Sequence, residues 1–159
     1  MKVLSKKLAS LCISASLIVA TSALAQPAKS EKHANYTTEL RQSIFKLLGS
    51  NMGALGAMAK GKIPIDVTVV ENNAKRINQL SLMIADYSRT DTSKFAVDTE
   101  ALNKIWQEPA LFKSDTEQLI QASQKLIIAA QSNDNAVIKK AIGGVGKSCG
   151  GCHDNFKKE

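Results

Sequence analysis

Apolar residues recur along most of this chain at steps of three and four, the spacing of one face of an α-helix. The first such stretch runs from about Thr37 to Lys60 and ends at Gly61. A short link, GKIP, leads to Asp66, a residue suited to cap the second stretch, which runs through Tyr87. Because the link is short, these two helices are expected to form an antiparallel hairpin.

Two further helices are predicted in the second half of the chain. Pro109 suits the first turn of a helix that continues toward Ser132. The segment SND at 132–134 predicts a turn, and the last helix then carries an apolar stripe as far as Phe156.

The connection between the two pairs, residues 88–108, lacks a sustained period and holds the single tryptophan, Trp106. A connection of this length in a compact domain usually has a function or local structure of its own. No strand-like alternation competes with the helical periods. The pattern predicts an all-α protein, an antiparallel four-helix bundle, and bundles build cofactor sites from side chains that point into the core.

Residues 1–25 are expected to lie outside this fold. They combine three early lysines, an apolar stretch and the small-residue ending Ala-Leu-Ala at Ala25, which together are typical of a cleavable secretory signal. A retained membrane anchor is the alternative, but the apolar run is short for the ~20 residues that a spanning helix needs. We therefore expect export to the periplasm and a mature single domain, residues 26–159, that is not embedded in a membrane.

Charge and cysteine content reduce the number of function classes that fit the sequence. The net charge of +7 includes three lysines of the signal, so the mature chain has 18 basic and 14 acidic residues. The charges form no basic run with interleaved aromatics, which argues against a nucleic-acid partner. Cys12 leaves with the signal, and Cys149 and Cys152 then remain in a compartment where thiols are normally oxidised or otherwise occupied.

The two remaining cysteines belong to the segment CGGCH, Cys149 to His153. Two thiols three residues apart, followed at once by an imidazole, form the spacing that attaches c-type haem. On a helix both sulfurs can reach the vinyl groups along one porphyrin edge, and the adjacent ring can ligate the iron. The motif continues the apolar stripe of the last helix, so it is expected to face inward and to hold one covalent haem c with His153 as iron ligand.

Three alternatives fit less well. A thioredoxin-like dithiol needs its pair between a strand and a helix. A structural zinc site needs four ligands, and the mature chain adds only His33, in its polar leader, to the motif. A disulfide across so small a loop would stabilise little and would leave His153 unexplained.

Five glycines crowd the last helix, where each costs ~0.8–1 kcal/mol relative to alanine. A flat cofactor docking against the backbone would explain them, because glycine permits close approach. They are Gly143, Gly144, Gly146, Gly150 and Gly151.

Three segments carry a family resemblance: AIGGVGKSCGGCHDNFKK at the C-terminus, LRQSIFKLLGSNMGALGAMAKGKIP in the first helix and NKIW before the third. With them the chain resembles the class II cytochromes c and, within that family, cytochrome c-prime, over essentially the whole mature length. The resemblance implies a four-helix bundle with haem between the helices and a five-coordinate, high-spin iron bound only by His153.

The resemblance also implies roles around the haem. Phe45 matches the distal position, where these proteins often carry leucine, and the turn at 41–48 offers no ligating side chain on the core stripe. The alternative for Phe45 is plain core packing. Met52 and Met58 lie further along the helix, where core or interface packing is expected.

Three other positions match residues near the haem in the family. Arg41 matches an arginine close to the propionates, Trp106 a nearby tryptophan, and Lys157 a position that usually holds arginine beside the proximal ligand. An exposed charge is the alternative for Arg41, and loop packing for Trp106. Lysine at 157 keeps the charge but loses the planar fork of arginine.

A haem with an apolar distal side and no hydrogen-bond donor favours NO and CO over O2. The expected function is therefore the binding of small diatomic gases, with an electron-transfer cytochrome as the alternative. No distal acid or base is present for a peroxidase, so we do not expect an enzyme. The sequence does not identify a redox partner; a homodimer through the first two helices is implied by the resemblance and permitted by the small residues of GSNMGALGAMA.

Overall fold

The computed structural model describes residues 25–159, and helices account for most of them. Within that range no helix combines the length and apolarity that crossing a membrane requires. Two strands of two residues each accompany the helices, and the predicted all-α class is confirmed. The elements are β1 (Gln26–Pro27), α1 (Glu31–Ala59), α2 (Val67–Tyr87), β2 (Thr90–Asp91), α3 (Lys104–Gln107), α4 (Pro109–Gln131) and α5 (Asn135–Phe156).

The helix ends follow the local signals in the sequence. The Asp66 carboxylate accepts a hydrogen bond from the Val69 amide at 3.0 Å and caps α2. Pro109 opens α4, as predicted. Gly61 follows the end of α1 with φ 71°, a left-handed conformation that favours glycine.

Helix α1 begins six residues earlier than the predicted Thr37. The Ser30 hydroxyl accepts a hydrogen bond from the His33 amide at 3.2 Å, and Glu31 places a negative charge in the first turn. The buried face of this added part consists of Ala34 and Thr38. Because these residues are small or polar, a search for large apolar residues at helical spacing misses them.

The four long helices form one bundle in which each helix packs against two others: α2 and α4 contact each other, α1 contacts α2 and α5, and α5 contacts α4. Buried polar contacts fix the register of the middle pair, since Asn78 Nδ2 donates to Ser123 Oγ at 3.0 Å and to the Ile120 carbonyl at 3.2 Å. The shared core is apolar. Its most buried large side chains are Leu55, Ile77, Leu126, Ile138 and Ile142.

The long connection has local structure of its own, as its length suggested. Strand β2 pairs in parallel with β1, with the Gln26 amide donating to the Arg89 carbonyl at 3.0 Å. The Trp106 indole Nε1 donates to the Ser88 carbonyl at 2.9 Å, so the end of α2 lies beside the start of α4. The connection therefore begins and ends at one end of the bundle, and the helices alternate in direction.

The same end of the bundle receives the C-terminus. The Leu102 amide donates to the Phe156 carbonyl, and the Lys158 amide to the Glu100 carbonyl, both at 2.8 Å. The predicted signal at 1–25 lies outside the described residues except for Ala25.

Candidate functional site

The CGGCH motif forms the last turns of α5. Cys149 and Cys152 are half-buried free thiols that pack against the hydrophobic core. His153, in contrast, is exposed. A helix turns by about 100° per residue, so His153 lies at the edge of the stripe that holds Cys152. That the imidazole faces the haem stays a prediction.

Burial changes the chemistry of the thiols. It raises the pKa of Cys149, an effect that a backbone hydrogen bond partly opposes. It also raises the pKa of Cys152 to about 11, with further contributions from the negative charges of Asp115 and Cys149. Neither group is held as a reactive thiolate, and this differs from the lowered thiol pKa typical of redox-active CxxC pairs.

Arg41 is buried on α1, with only 3% of its surface exposed. Its guanidinium carbon lies 5.3 Å from the centroid of the Trp106 ring, a cation–π arrangement. Neither terminal nitrogen, Nη1 or Nη2, has a hydrogen-bond partner among the described residues, and burial lowers the pKa of the group. The structure therefore brings Arg41 and Trp106 together, and it excludes the alternative that Arg41 is an exposed charge.

Phe45 lies one turn after Arg41 on α1 and is 37% exposed. Plain core packing does not describe it, because the core positions of this turn are Ile44 and Leu48. Met58 is buried, and Met52 is half-buried against the core. Both methionines thus pack as the sequence suggested.

Lys157 ends α5, and its Nζ lies 3.0 Å from a carboxylate oxygen of Glu100 in the connection. Its charge is directed toward that segment by an ion pair between exposed groups. The neighbouring Phe156 is buried and makes an edge-to-face contact with Phe112 of α4, with ring centroids 5.2 Å apart. The aromatic pair and the ion pair both fasten the end of α5.

Asp115 is a residue of this region that the sequence analysis did not identify. It is buried on α4, and its Oδ2 accepts a hydrogen bond from Asn155 Nδ2 at 2.9 Å. The sequence does contain a sign of its burial, because Asp115 lies at helical spacing between the apolar positions Phe112 and Leu119. A buried charged residue on a core stripe is rare without a partner.

No neighbouring atom of the described chain lies so close to the five glycines of α5 that a side chain could not fit there. A β-carbon built at any of them finds no atom within 4 Å outside its local backbone. Gly143, Gly146 and Gly150 are spaced by three and four residues and share a face of α5 with His153, so this face has no side chains next to the imidazole. Their predicted role in cofactor approach stays a prediction.

The donor set fits the haem that the sequence predicted. The thiols of Cys149 and Cys152 lie at the core edge of α5 beside the imidazole of His153. The buried guanidinium of Arg41, which has no hydrogen-bond partner among the described residues, could pair with a carboxylate such as a haem propionate. A zinc site lacks comparable support: within residues 25–159 no three His, Cys, Asp or Glu side chains form a group that could hold a metal ion. His33 instead accepts a hydrogen bond at Nδ1 from the Lys29 amide, 3.1 Å away.

Comparison with known proteins agrees with this assignment. The family model described as cytochrome C' matches residues 36–157. Cytochrome c' of Rubrivivax gelatinosus is 37% identical over 121 residues, which cover 76% of this chain and 93% of that protein.

Solved structures show the same fold. Cytochrome c prime from Shewanella frigidimarina is 39% identical with a TM-score of 0.66, over 79% of this chain and 97% of that one. A ferrous variant of cytochrome c prime from Alcaligenes xylosoxidans with bound NO is 27% identical with a TM-score of 0.68, over 82% of this chain and 98% of that one. This chain therefore belongs to the cytochrome c' family, whose members carry covalent haem c.

Proposed function

We propose that this protein is an exported, periplasmic haem protein that binds NO and CO at an iron whose only protein ligand is His153. The observation that carries the proposal is the composition of α1 on the distal side. The turn at 41–48, which the family resemblance assigns to the distal side, carries Phe45 and no ligating side chain on its core stripe, while Met52 and Met58 pack against or within the core.

Each predicted residue has a defined task in this proposal. Cys149 and Cys152 would hold the haem through thioether bonds, and the exposed His153 imidazole would ligate its iron. The bound haem supplies a metal centre for small gases. Arg41 would pair with a propionate, since its buried guanidinium has no other acceptor among residues 25–159.

Phe45 would restrict access on the opposite side. A phenyl ring can neither ligate iron nor donate a hydrogen bond, so it disfavours water and polarised O2 and tolerates NO and CO. The NO complex of the Alcaligenes xylosoxidans relative supports gas binding within the family. The same lack of an acid or base argues against enzymatic activity.

Export is proposed from residues 1–25, whose early lysines, apolar stretch and Ala-Leu-Ala ending are typical of a cleavable signal. Gln26, the predicted first mature residue, already pairs with the connection between α2 and α4 through its amide. The predicted first mature residue therefore takes part in the described fold. Intact mass of the exported protein should correspond to a chain that starts at Gln26 and carries one haem.

Absorption spectroscopy tests the iron site. The purified protein should show high-spin ferric and ferrous spectra, shift on addition of CO or NO, and retain its haem after acid–acetone extraction. Replacing both Cys149 and Cys152 by serine should abolish that retention because no thioether is left, whereas Ser148→Ala, four residues before Cys152, should leave it unchanged. A low-spin spectrum with methionine-to-iron charge transfer would replace gas binding by electron transfer as the function, and a colourless extracted protein would contradict covalent attachment.

A further inference from the structure

Asp115 on α4 is a buried carboxylate, with 8% of its surface exposed. Its two oxygens accept hydrogen bonds from neutral amides: Oδ2 from Asn155 Nδ2 at 2.9 Å and Oδ1 from Gln118 Nε2 at 3.3 Å. None of the ion pairs within residues 25–159 includes it. The structure thus buries a negative charge that is hydrogen-bonded but has no cation paired with it.

The charge lies against the last turns of α5. Phe112, three residues before Asp115, contacts Phe156, and Asp115 itself bonds Asn155, so these turns of α4 and α5 run past each other in antiparallel order. Asn155 is three residues after Cys152 and therefore lies on the same side of α5. The carboxylate of Asp115 therefore lies on the side of α4 that faces the turn of α5 carrying Cys152.

A carboxylate in this place affects haem oxidation states unequally. Reduction of ferric to ferrous haem adds one electron and so one negative charge, which a fixed anion in a low-dielectric region disfavours. Exposed carboxylates have a smaller effect on haem reduction, because water and salt screen their charge.

We propose that Asp115 is a positioning residue that holds the Asn155 turn of α5 and, through its charge, lowers the reduction potential of the haem attached at Cys149 and Cys152. The proposal rests on the haem attachment in the proposed function and is independent of gas binding.

Redox titration with mediators, in the absence of gas, measures this effect on the intact haem protein. Asp115→Asn keeps the shape and an acceptor for Asn155 but removes the charge. At a fixed potential its ratio of ferrous to ferric haem should rise about tenfold, equivalent to ~59 mV for one electron. Asp115→Ser, which also removes the charge but whose hydroxyl lies one bond closer to the backbone, should move the ratio in the same direction.

Two controls separate charge from shape. Glu117→Gln removes a carboxylate from the exposed side of the same helix, where it pairs with Lys113 at 3.6 Å, and should change the ratio less than about twofold. Asp115→Glu keeps the charge and should return the ratio close to the wild-type value.

An unchanged potential in Asp115→Asn and Asp115→Ser would overturn the proposal. An equal shift in Asp115→Glu would also overturn it, because the residue would then act through packing. A protein without covalent haem would contradict both this inference and the proposed function, whereas a haem that binds no gas would contradict the proposed function alone.

Discussion

The Arg41 guanidinium is a cation that the described part of the chain buries without giving it a hydrogen-bond acceptor. Desolvation of such a group is costly, and the lowered pKa expresses that cost. Trp106 compensates in part through its ring, which the bond from its Nε1 to the Ser88 carbonyl holds in place. A carboxylate partner would find this guanidinium already oriented, so little ordering entropy would be lost on pairing.

Phe45 gives the clearest test at the scale of one residue. Phe45→Ala should speed CO association, because the ring no longer has to move aside. The free energy of unfolding of the haem protein should fall by up to the ~3–5 kcal/mol typical of truncating a buried phenyl, because the ring would pack beside the haem. Stopped-flow mixing with CO and denaturant titration measure the two quantities.

Leu47→Ala provides the matched control for Phe45→Ala. Leu47 lies two residues further along α1 and is 52% exposed. Its truncation should leave the CO association rate unchanged. Equal CO rates in wild type and Phe45→Ala would show that the ring does not guard the distal side.

At the scale of the element, α5 combines a low intrinsic helix propensity with stabilising contacts at both of its ends. Its glycines lower helix propensity, and its ends compensate. Asp134 accepts hydrogen bonds from the amides of Ala136 and Val137 at 2.8 and 3.2 Å, and the C-terminal turn is fastened by Phe156 and Lys157. The helix that carries the attachment cysteines is thus stabilised by its caps and tertiary contacts more than by its own composition.

Asp134→Ala should therefore lower the free energy of unfolding by about 1 kcal/mol, because two amides at the start of α5 lose their acceptor. Urea denaturation followed by circular dichroism measures the change. Lys139→Ala, at an exposed position of the same helix, should stay within about 0.5 kcal/mol of wild type. A loss for Lys139→Ala as large as that for Asp134→Ala would show that capping is not what stabilises the start of α5.

At the scale of the whole molecule, the bundle gathers its distinctive contacts at one end. Arg41, Trp106 and Phe156 come from three different elements, and the backbone bonds between the connection and the C-terminus hold that end together. Large apolar side chains are exposed along α1 and α2, among them Leu47 at 52% and Leu82 at 51%.

This exposed surface supports the predicted homodimer through α1 and α2. Sedimentation at micromolar concentration should give twice the monomer mass, and Leu47→Glu should shift the protein to monomer because a carboxylate would be buried at the contact. Ile128→Glu changes an apolar residue of α4 that is 59% exposed, away from the proposed contact, and should stay dimeric. A monomeric wild type would contradict the predicted dimer. Dissociation caused by Ile128→Glu would show that the contact does not lie on α1 and α2.

The sequence by itself determined the helices, their order and the attachment chemistry. Periodicity, the cap Asp66, the turn at 132–134 and Pro109 are local signals, and each one acts on residues only a few positions away in the chain. The spacing of Cys149, Cys152 and His153 is likewise local, because the face that residues share on a helix follows from their separation. The start of α1 was missed because its buried face, Ala34 and Thr38, lacks the large apolar residues that mark a stripe.

Tertiary structure alone decided which side chains are buried and which meet. The burial of Arg41 against Trp106 and the bond between Asp115 and Asn155 depend on how helices far apart in sequence pack. Periodicity gives the angle of a residue around its own helix but does not say how far the neighbouring helix covers it. Arg41 and Asp115 show the consequence: both side chains are charged, and only the packing of the helices around them shows that they are buried.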